Sequence, residues 1–78
     1  MKLPPQYIGV EQARQVLANM GVELTLRQIR RAAEKDAQGR RRLPFFVDPI
    51  DGTLRIEKGT LVRIYNDLQE EAENNSVL

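Results

Sequence analysis

Leu24-Thr25-Leu26-Arg27-Gln28-Ile29-Arg30-Arg31-Ala32-Ala33-Glu34-Lys35-Asp36-Ala37 is the stretch on which the reading of this chain turns. Its spacing predicts a short amphipathic helix over 25–37 with a marked start. Thr25 is placed to act as N-cap, its hydroxyl accepting from one of the first free backbone N–H groups. Gln28, three residues on, is placed to reach back to the Thr25 N–H and complete a capping box. Leu24 and Ile29 stand where a hydrophobic staple would put them. At about 100° per residue, Leu26, Ile29, Ala33 and Ala37 share one side. Arg27, Gln28, Arg31 and Lys35 share the other, with Arg30 and Glu34 at the flank. Such a helix has the chemistry for the major groove of DNA: Arg suits guanine edges, Gln suits adenine, and every cation suits phosphate. The competing reading is a solvated basic face on an ordinary helix.

Upstream, Met1 to Gln6 holds two prolines and no periodicity, which predicts a flexible arm over 1–6. Tyr7 and Ile8 are expected to cover the edge of the core. From Gly9 a helix is expected, with Val10, Ala13, Val16, Leu17 and Met20 on one face and Glu11, Gln12, Gln15 and Asn19 opposite. Glu11 suits the dipole of the first turn, and Gly21 sits where a left-handed C-terminal cap is wanted. Two short helices joined by Gly-Val-Glu-Leu predict a helix-turn-helix with 25–37 in the recognition position.

Downstream, Gln38 and Gly39 end the basic helix and Arg40-Arg41-Arg42 follows. Leu43 to Val47 reads as a strand, Asp48-Pro49-Ile50-Asp51-Gly52 as a turn, and Thr53 to Ile56 as a returning strand. Pro44 fits a strand start or an edge. An isolated hairpin is marginal, so Phe45 or Phe46 must pack with Leu54 and Ile56 on the helices. A last helix from Lys58 to Glu73 is expected to close the core with Leu61, Ile64, Tyr65 and Leu68. Beyond Leu68 the apolar stripe stops, Asp67, Glu70, Glu71 and Glu73 make an acidic end, and Asn74 to Leu78 is expected to fray. The predicted fold is mainly α with a small two-stranded β wing, a single compact winged helix-turn-helix domain over 7–68, followed by an acidic helix end and tail over 69–78.

Composition narrows the function. The 78 residues allow one small domain with a thin core. There is no cysteine and no histidine, so disulfides, thiolate chemistry and the usual zinc ligand sets are excluded. One serine near the C-terminal end and no glycine-rich phosphate loop leave nothing to build a catalytic site from, and Asp48 and Asp51 are explained by turn chemistry. No catalysis, cofactor, metal or small-molecule substrate is expected. The start Met-Lys-Leu-Pro-Pro lacks the apolar run of a signal peptide and no segment is apolar enough to span a membrane, so a soluble cytoplasmic protein is the expectation. Net charge is only +1. Its distribution is uneven: residues 1–47 carry nine Lys/Arg against four Asp/Glu, whereas 48–78 carry three against seven. Within 25–42 there are seven basic and two acidic side chains, a local basic patch that suits DNA backbone contacts.

The order of elements resembles the excisionase and MerR-like winged-helix domains. The resemblance covers roughly residues 7–68. It rests on Ile8…Glu11-Gln12-Ala13…Leu17, Leu26…Ile29-Arg30-Arg31, and Gly39…Leu43-Pro44…Gly52…Arg55-Ile56…Leu61. It implies a small accessory DNA-binding protein of a phage, prophage, plasmid or integrative element. Excisionases of this kind bind and bend DNA near recombination sites and help a recombinase or integrase choose excision; many also repress transcription. A plain transcriptional regulator and the DNA-binding part of a terminase small subunit share the domain and are the alternatives. By this resemblance Arg27, Gln28 and Arg31 sit in the major groove and the wing approaches the neighbouring minor groove. The chain departs from the pattern in a longer turn before Thr25, in the lack of a long coiled-coil dimerisation helix, and in a wing tip with two carboxylates and no cation. Such a tip is repelled by phosphate, so Arg40, Arg41, Arg42 and Arg55, lower on the hairpin, are the expected backbone contacts. The full set of candidate DNA-binding residues is Thr25, Arg27, Gln28, Arg30, Arg31, Lys35, Arg40, Arg41, Arg42 and Arg55.

A protein-interaction module, with the basic helix docked on an acidic partner, remains the reading from a different class. The charge split also suggests cooperative self-association on DNA, with the acidic segment Asp67 to Glu73 of one copy meeting Arg40–Arg42 of the next. A solvated tail over 69–78 is the plainer account of the same residues.

Overall fold

In the computed structural model, which describes residues 4–76, the chain runs β1 (Tyr7–Ile8), α1 (Val10–Asn19), α2 (Leu26–Ala33), β2 (Phe46–Val47), β3 (Leu54–Glu57) and α3 (Lys58–Asn75). It is mainly helical, with a small three-stranded antiparallel sheet in the order β1-β3-β2. Residues 1–3 and 77–78, the outer parts of the expected arm and frayed end, lie outside the described residues.

Each helix starts and stops on identifiable chemistry. The Gly9 N–H ahead of α1 donates to Gln12 Oε1 at 3.1 Å. At the other end Gly21 takes φ 91°, and the Gly21 and Val22 N–H groups close back on the Ala18 and Leu17 carbonyls at 3.0 and 2.8 Å. This is a Schellman closure, and its left-handed residue is where glycine is favoured. For α2 the capping box is formed in both directions: the Gln28 N–H donates to Thr25 Oγ1 at 3.1 Å and the Thr25 N–H to Gln28 Oε1 at 2.9 Å. Helix α3 follows β3 without a loop, because the Glu57 carboxylate accepts from the Gly59 and Thr60 N–H groups at 2.8 and 3.0 Å. A glutamate that ends a strand and caps the next helix went unread in the sequence.

The core is one cluster: Ile8, Ala13, Leu17, Ile29, Ala33, Leu43, Phe45, Ile56 and Leu61. Ile64 and Tyr65 are only partly buried against it. Alternation along β3 sets the two faces of the sheet. Ile56, paired with Ile8, faces the helices, while Arg55 and Glu57, paired with Phe46 and Tyr7, face away.

Five expectations need correction. The sheet has three strands, because Tyr7 and Ile8 pair with Glu57 and Ile56 instead of merely covering the core edge. Gln6 is tethered too, its carbonyl accepting from the Lys58 N–H at 2.8 Å, so the arm is not loose up to residue 6. The basic helix ends at Ala33, with Glu34 as its C-cap, four residues short of the predicted end. Asp36 takes over there: its Oδ1 accepts from the Gln38 and Arg40 N–H groups, both at 2.9 Å, and Gly39 at φ 76° closes the turn. A short polar side chain that bonds its own backbone outcompetes the helix at this point. Ala37 is therefore exposed and not on the apolar face. The strand predicted over 43–47 is regular only at Phe46–Val47. Leu68 and Met20 are exposed, so the closing face of α3 stops at Tyr65, and α3 itself runs on to Asn75.

Between the two adjacent phenylalanines, Phe45 is 3% exposed and Phe46 42%. Phe45→Ala is expected to cost about 3–5 kcal/mol and Ile29→Ala about 2–5 kcal/mol in urea unfolding, with Phe46→Ala costing far less. Equal losses at Phe45 and Phe46 would place the wrong ring in the core.

Candidate functional site

The basic residues divide by what already holds them. Arg14 is paired with Glu11 one turn away on α1. Arg55 makes two ion pairs across the β2–β3 hairpin, to Asp48 Oδ2 at 2.6 Å and Asp51 Oδ2 at 2.9 Å. Arg41 is partly buried, and its Nη1 donates to the Ala33 carbonyl at 2.7 Å. The neighbouring Ala32 carbonyl accepts from the Leu43 N–H at 3.0 Å, so the end of α2 is closed by the segment that follows it. Arg41 is thereby a C-terminal cap whose charge also suits the helix dipole. Arg27, Arg30, Arg31, Lys35, Arg40 and Arg42 are exposed and make no ion pair among the described residues.

These six cations come from two neighbouring segments. Arg27, Arg30 and Arg31 project from α2. Lys35 is not on the helix as predicted; it lies on the tight turn after it, bridged antiparallel to Arg41. That bridge folds Arg40 and Arg42 back beside the end of α2. Arg30 stands apart from the others, lining a groove with Glu11 and Gln12 of α1 and with Gly52, Thr53 and Leu54 of the hairpin. The Thr25 hydroxyl and the Gln28 carboxamide oxygen are both occupied by the capping box. Bidentate reading of adenine by Gln28 therefore requires that its cap bond be broken. Arg55, the fourth cation expected on the hairpin, is bound to the tip carboxylates and not free.

The tip, Asp48 to Gly52, has every carboxylate oxygen satisfied from within. Asp48 Oδ1 accepts from the Ile50 N–H at 2.8 Å and its Oδ2 from Arg55 Nε. Asp51 Oδ1 accepts from the Thr53 N–H at 2.9 Å and hydroxyl at 2.7 Å, and its Oδ2 from Arg55 Nη2. The Ile50 N–H first and the Arg55 guanidinium second hold the Asp48 carboxyl below its ordinary range. Asp51 is lowered chiefly by the Thr53 hydroxyl and N–H. Glu57 is lowered chiefly by the Gly59 N–H at the start of α3.

Among the described residues no helix is long and apolar enough to cross a membrane. Nor do they contain a group of three or more His, Cys, Asp or Glu able to hold a metal ion. No family model, no curated protein and no solved structure matches the chain.

Two outcomes follow from these bonds. Because Asp48, Asp51 and Glu57 have native pKa values below their unfolded ones, their stabilisation is full above about pH 4 and is lost as pH falls through the native values. Thermal melts from pH 7 down to pH 2.5 on the Asp48→Asn, Asp51→Asn variant are expected to show a shallower acid loss than the parent. Separately, Arg41→Ala is expected to lower stability by about 1–2 kcal/mol, whereas Arg40→Ala stays within about 0.5 kcal/mol. Equal melting temperatures for these two variants would remove the capping role.

Proposed function

We propose that this protein binds duplex DNA as a winged helix-turn-helix, with α2 entering the major groove and the β2–β3 hairpin serving as the wing. The observation that carries the reading is the set of six exposed, unpaired cations on α2 and the turn behind it. Arg14 and Arg55 are neutralised by carboxylates, and of the other exposed cations among the described residues only Lys58 and Arg63, on α3, lie away from α2 and the turn behind it. A patch of that kind is the electrostatic footprint of phosphate binding. The order of helix, helix, hairpin and helix supports the winged reading, and the six residues between α1 and α2 serve as the turn.

An eight-residue helix is only about 12 Å long, so base reading falls to its first two turns. With Gln28 held in the cap, Arg27 and Arg31 are the base readers and Thr25 positions the helix start. Arginine pairs in bidentate fashion with guanine O6 and N7, so the preferred site contains G·C pairs under α2. Arg30, Lys35, Arg40 and Arg42 supply phosphate contacts. The likeness in element order to excisionase domains extends the proposal to an accessory factor acting near a recombination site with a recombinase, with repression as a second outcome of the same binding. Occupancy of adjacent sites by neighbouring copies would offset the small interface of a single module.

The test is fluorescence anisotropy on duplex DNA at two salt concentrations. With about four phosphate contacts, affinity is expected to fall roughly a hundredfold between 50 and 200 mM salt. Arg40→Ala is expected to reduce the salt slope by about one. Arg31→Ala is expected to narrow the gap between preferred and random duplex by about 1–3 kcal/mol. Binding that is absent, or that ignores salt, would rule out this reading and favour a protein partner for the basic edge.

A further inference from the structure

The hairpin tip contradicts the simplest reading of its composition. Asp48 and Asp51 predict a surface that phosphate repels, yet their four carboxylate oxygens are all turned inward onto Arg55, Thr53 and the Ile50 N–H. With those groups folded back, the outermost side chain is apolar: Ile50 is 92% exposed, the highest value among the large hydrophobic residues described. Pro49 precedes it and stiffens the approach. Gly52 to Leu54 of the returning limb line a groove together with Arg30 of α2. This limb of the hairpin thus lies beside Arg30, at the flank of α2.

We infer that the hairpin tip meets duplex DNA through Ile50 and not through a cation, and that Arg55 is a positioning residue that acts through Asp48 and Asp51. The inference rests on the DNA-binding reading above. An apolar tip gains nothing from phosphates; what it can enter is a base step in the minor groove, where Ile, Leu, Phe, Met and Pro side chains act as wedges and kink the duplex. A wedge has to be stiff and its flanks must not repel the backbone. The Arg55 guanidinium meets both needs, since it bridges one carboxylate from each side of the turn and compensates one of their two charges. The sheet alternation that turns Arg55 away from the core places it where it can reach both. α2 and the tip then grip one duplex at two points, and the unstacking caused by Ile50 supplies the bend.

The experiment uses a short mixed-sequence duplex carrying a donor and an acceptor fluorophore at its ends, so that anisotropy reports binding and energy transfer reports bending. Ile50→Ser is expected to bind about tenfold more weakly, the loss for one apolar side chain left in water. Its salt slope is expected to equal the parent's, because no phosphate contact is removed, and the increase in energy transfer is expected to disappear. Ile50→Phe, which keeps an apolar wedge, is expected to retain the bend. The combined Arg55→Gln, Asp48→Asn, Asp51→Asn variant is expected to keep the parent's salt slope. A slope lower by about one would make Arg55 a phosphate contact and overturn its positioning role. Binding and bending by Ile50→Ser at parent levels would overturn the wedge and leave Ile50 to a protein partner. No binding by the parent would overturn the DNA reading itself, and this inference with it.

Discussion

Four buried side chains of one core cluster hold this fold together. Leu17, Ile29, Ile56 and Leu61 are the largest fully buried side chains among the described residues, and they come one each from α1, α2, β3 and α3. A chain this short has little apolar surface to bury, so every element depends on this one core. Helices of eight and ten residues would not hold in water without it, and nucleation alone works against them. The end chemistry of each helix follows from the same constraint. With so small a core, the Thr25–Gln28 box, the Gly21 closure, the Glu57 cap and the Arg41 cap each contribute a substantial share of the stability.

Much of this was legible from spacing alone. Leu17, Ile29 and Leu61 each belong to an apolar series at helical intervals within its own helix, and Asp51-Gly52 punctuates two short β-rich runs. The third strand was not legible, because Tyr7-Ile8 is too short to show any alternation. Its place depends on β3 having a free edge for it. The end of α2 was misread for a different reason. Ala37 continues the apolar period perfectly well, and only the Asp36 side chain, by bonding two backbone N–H groups, makes the turn more favourable than another helical turn. Phe45 lies just ahead of the strand and turns inward, while Phe46 within it stays half-exposed. Which ring is buried depends on register, and register belongs to the pairing of Phe46 with Arg55.

The candidate site was legible as a charge pattern but not as a set of available charges. A sequence counts Arg41, Arg42 and Arg55 alike. In the folded chain Arg41 closes the end of a helix, Arg55 neutralises a turn, and Arg42 is left to solvent. The same applies to carboxylates: Asp48 and Asp51 look repulsive in a list of residues and are internally satisfied in three dimensions. Local hydrogen bonding thus decides which part of a basic patch is free to meet a partner. It shifts that role from the hairpin to the stretch between Arg27 and Arg42.

The last ten residues of α3 obey different physics from the rest. From Asn66 to Asn75 every side chain is exposed, Leu68 at 55% among them. Asp67, Glu70, Glu71 and Glu73 lie three and four residues apart, where like charges repel, and they gather toward the end of the helix that the dipole makes negative. One side-chain bond, Gln69 Nε2 to Glu73 Oε1 at 3.3 Å, works in the other direction. This half of the helix is therefore held by backbone propensity against its own electrostatics, and anything cationic laid along it removes the opposition. Added salt does so weakly, by screening. Arg27, Arg30 and Arg31 crowd α2 at the same three- and four-residue spacing, so screening relieves both ends of the charge split with the same sign.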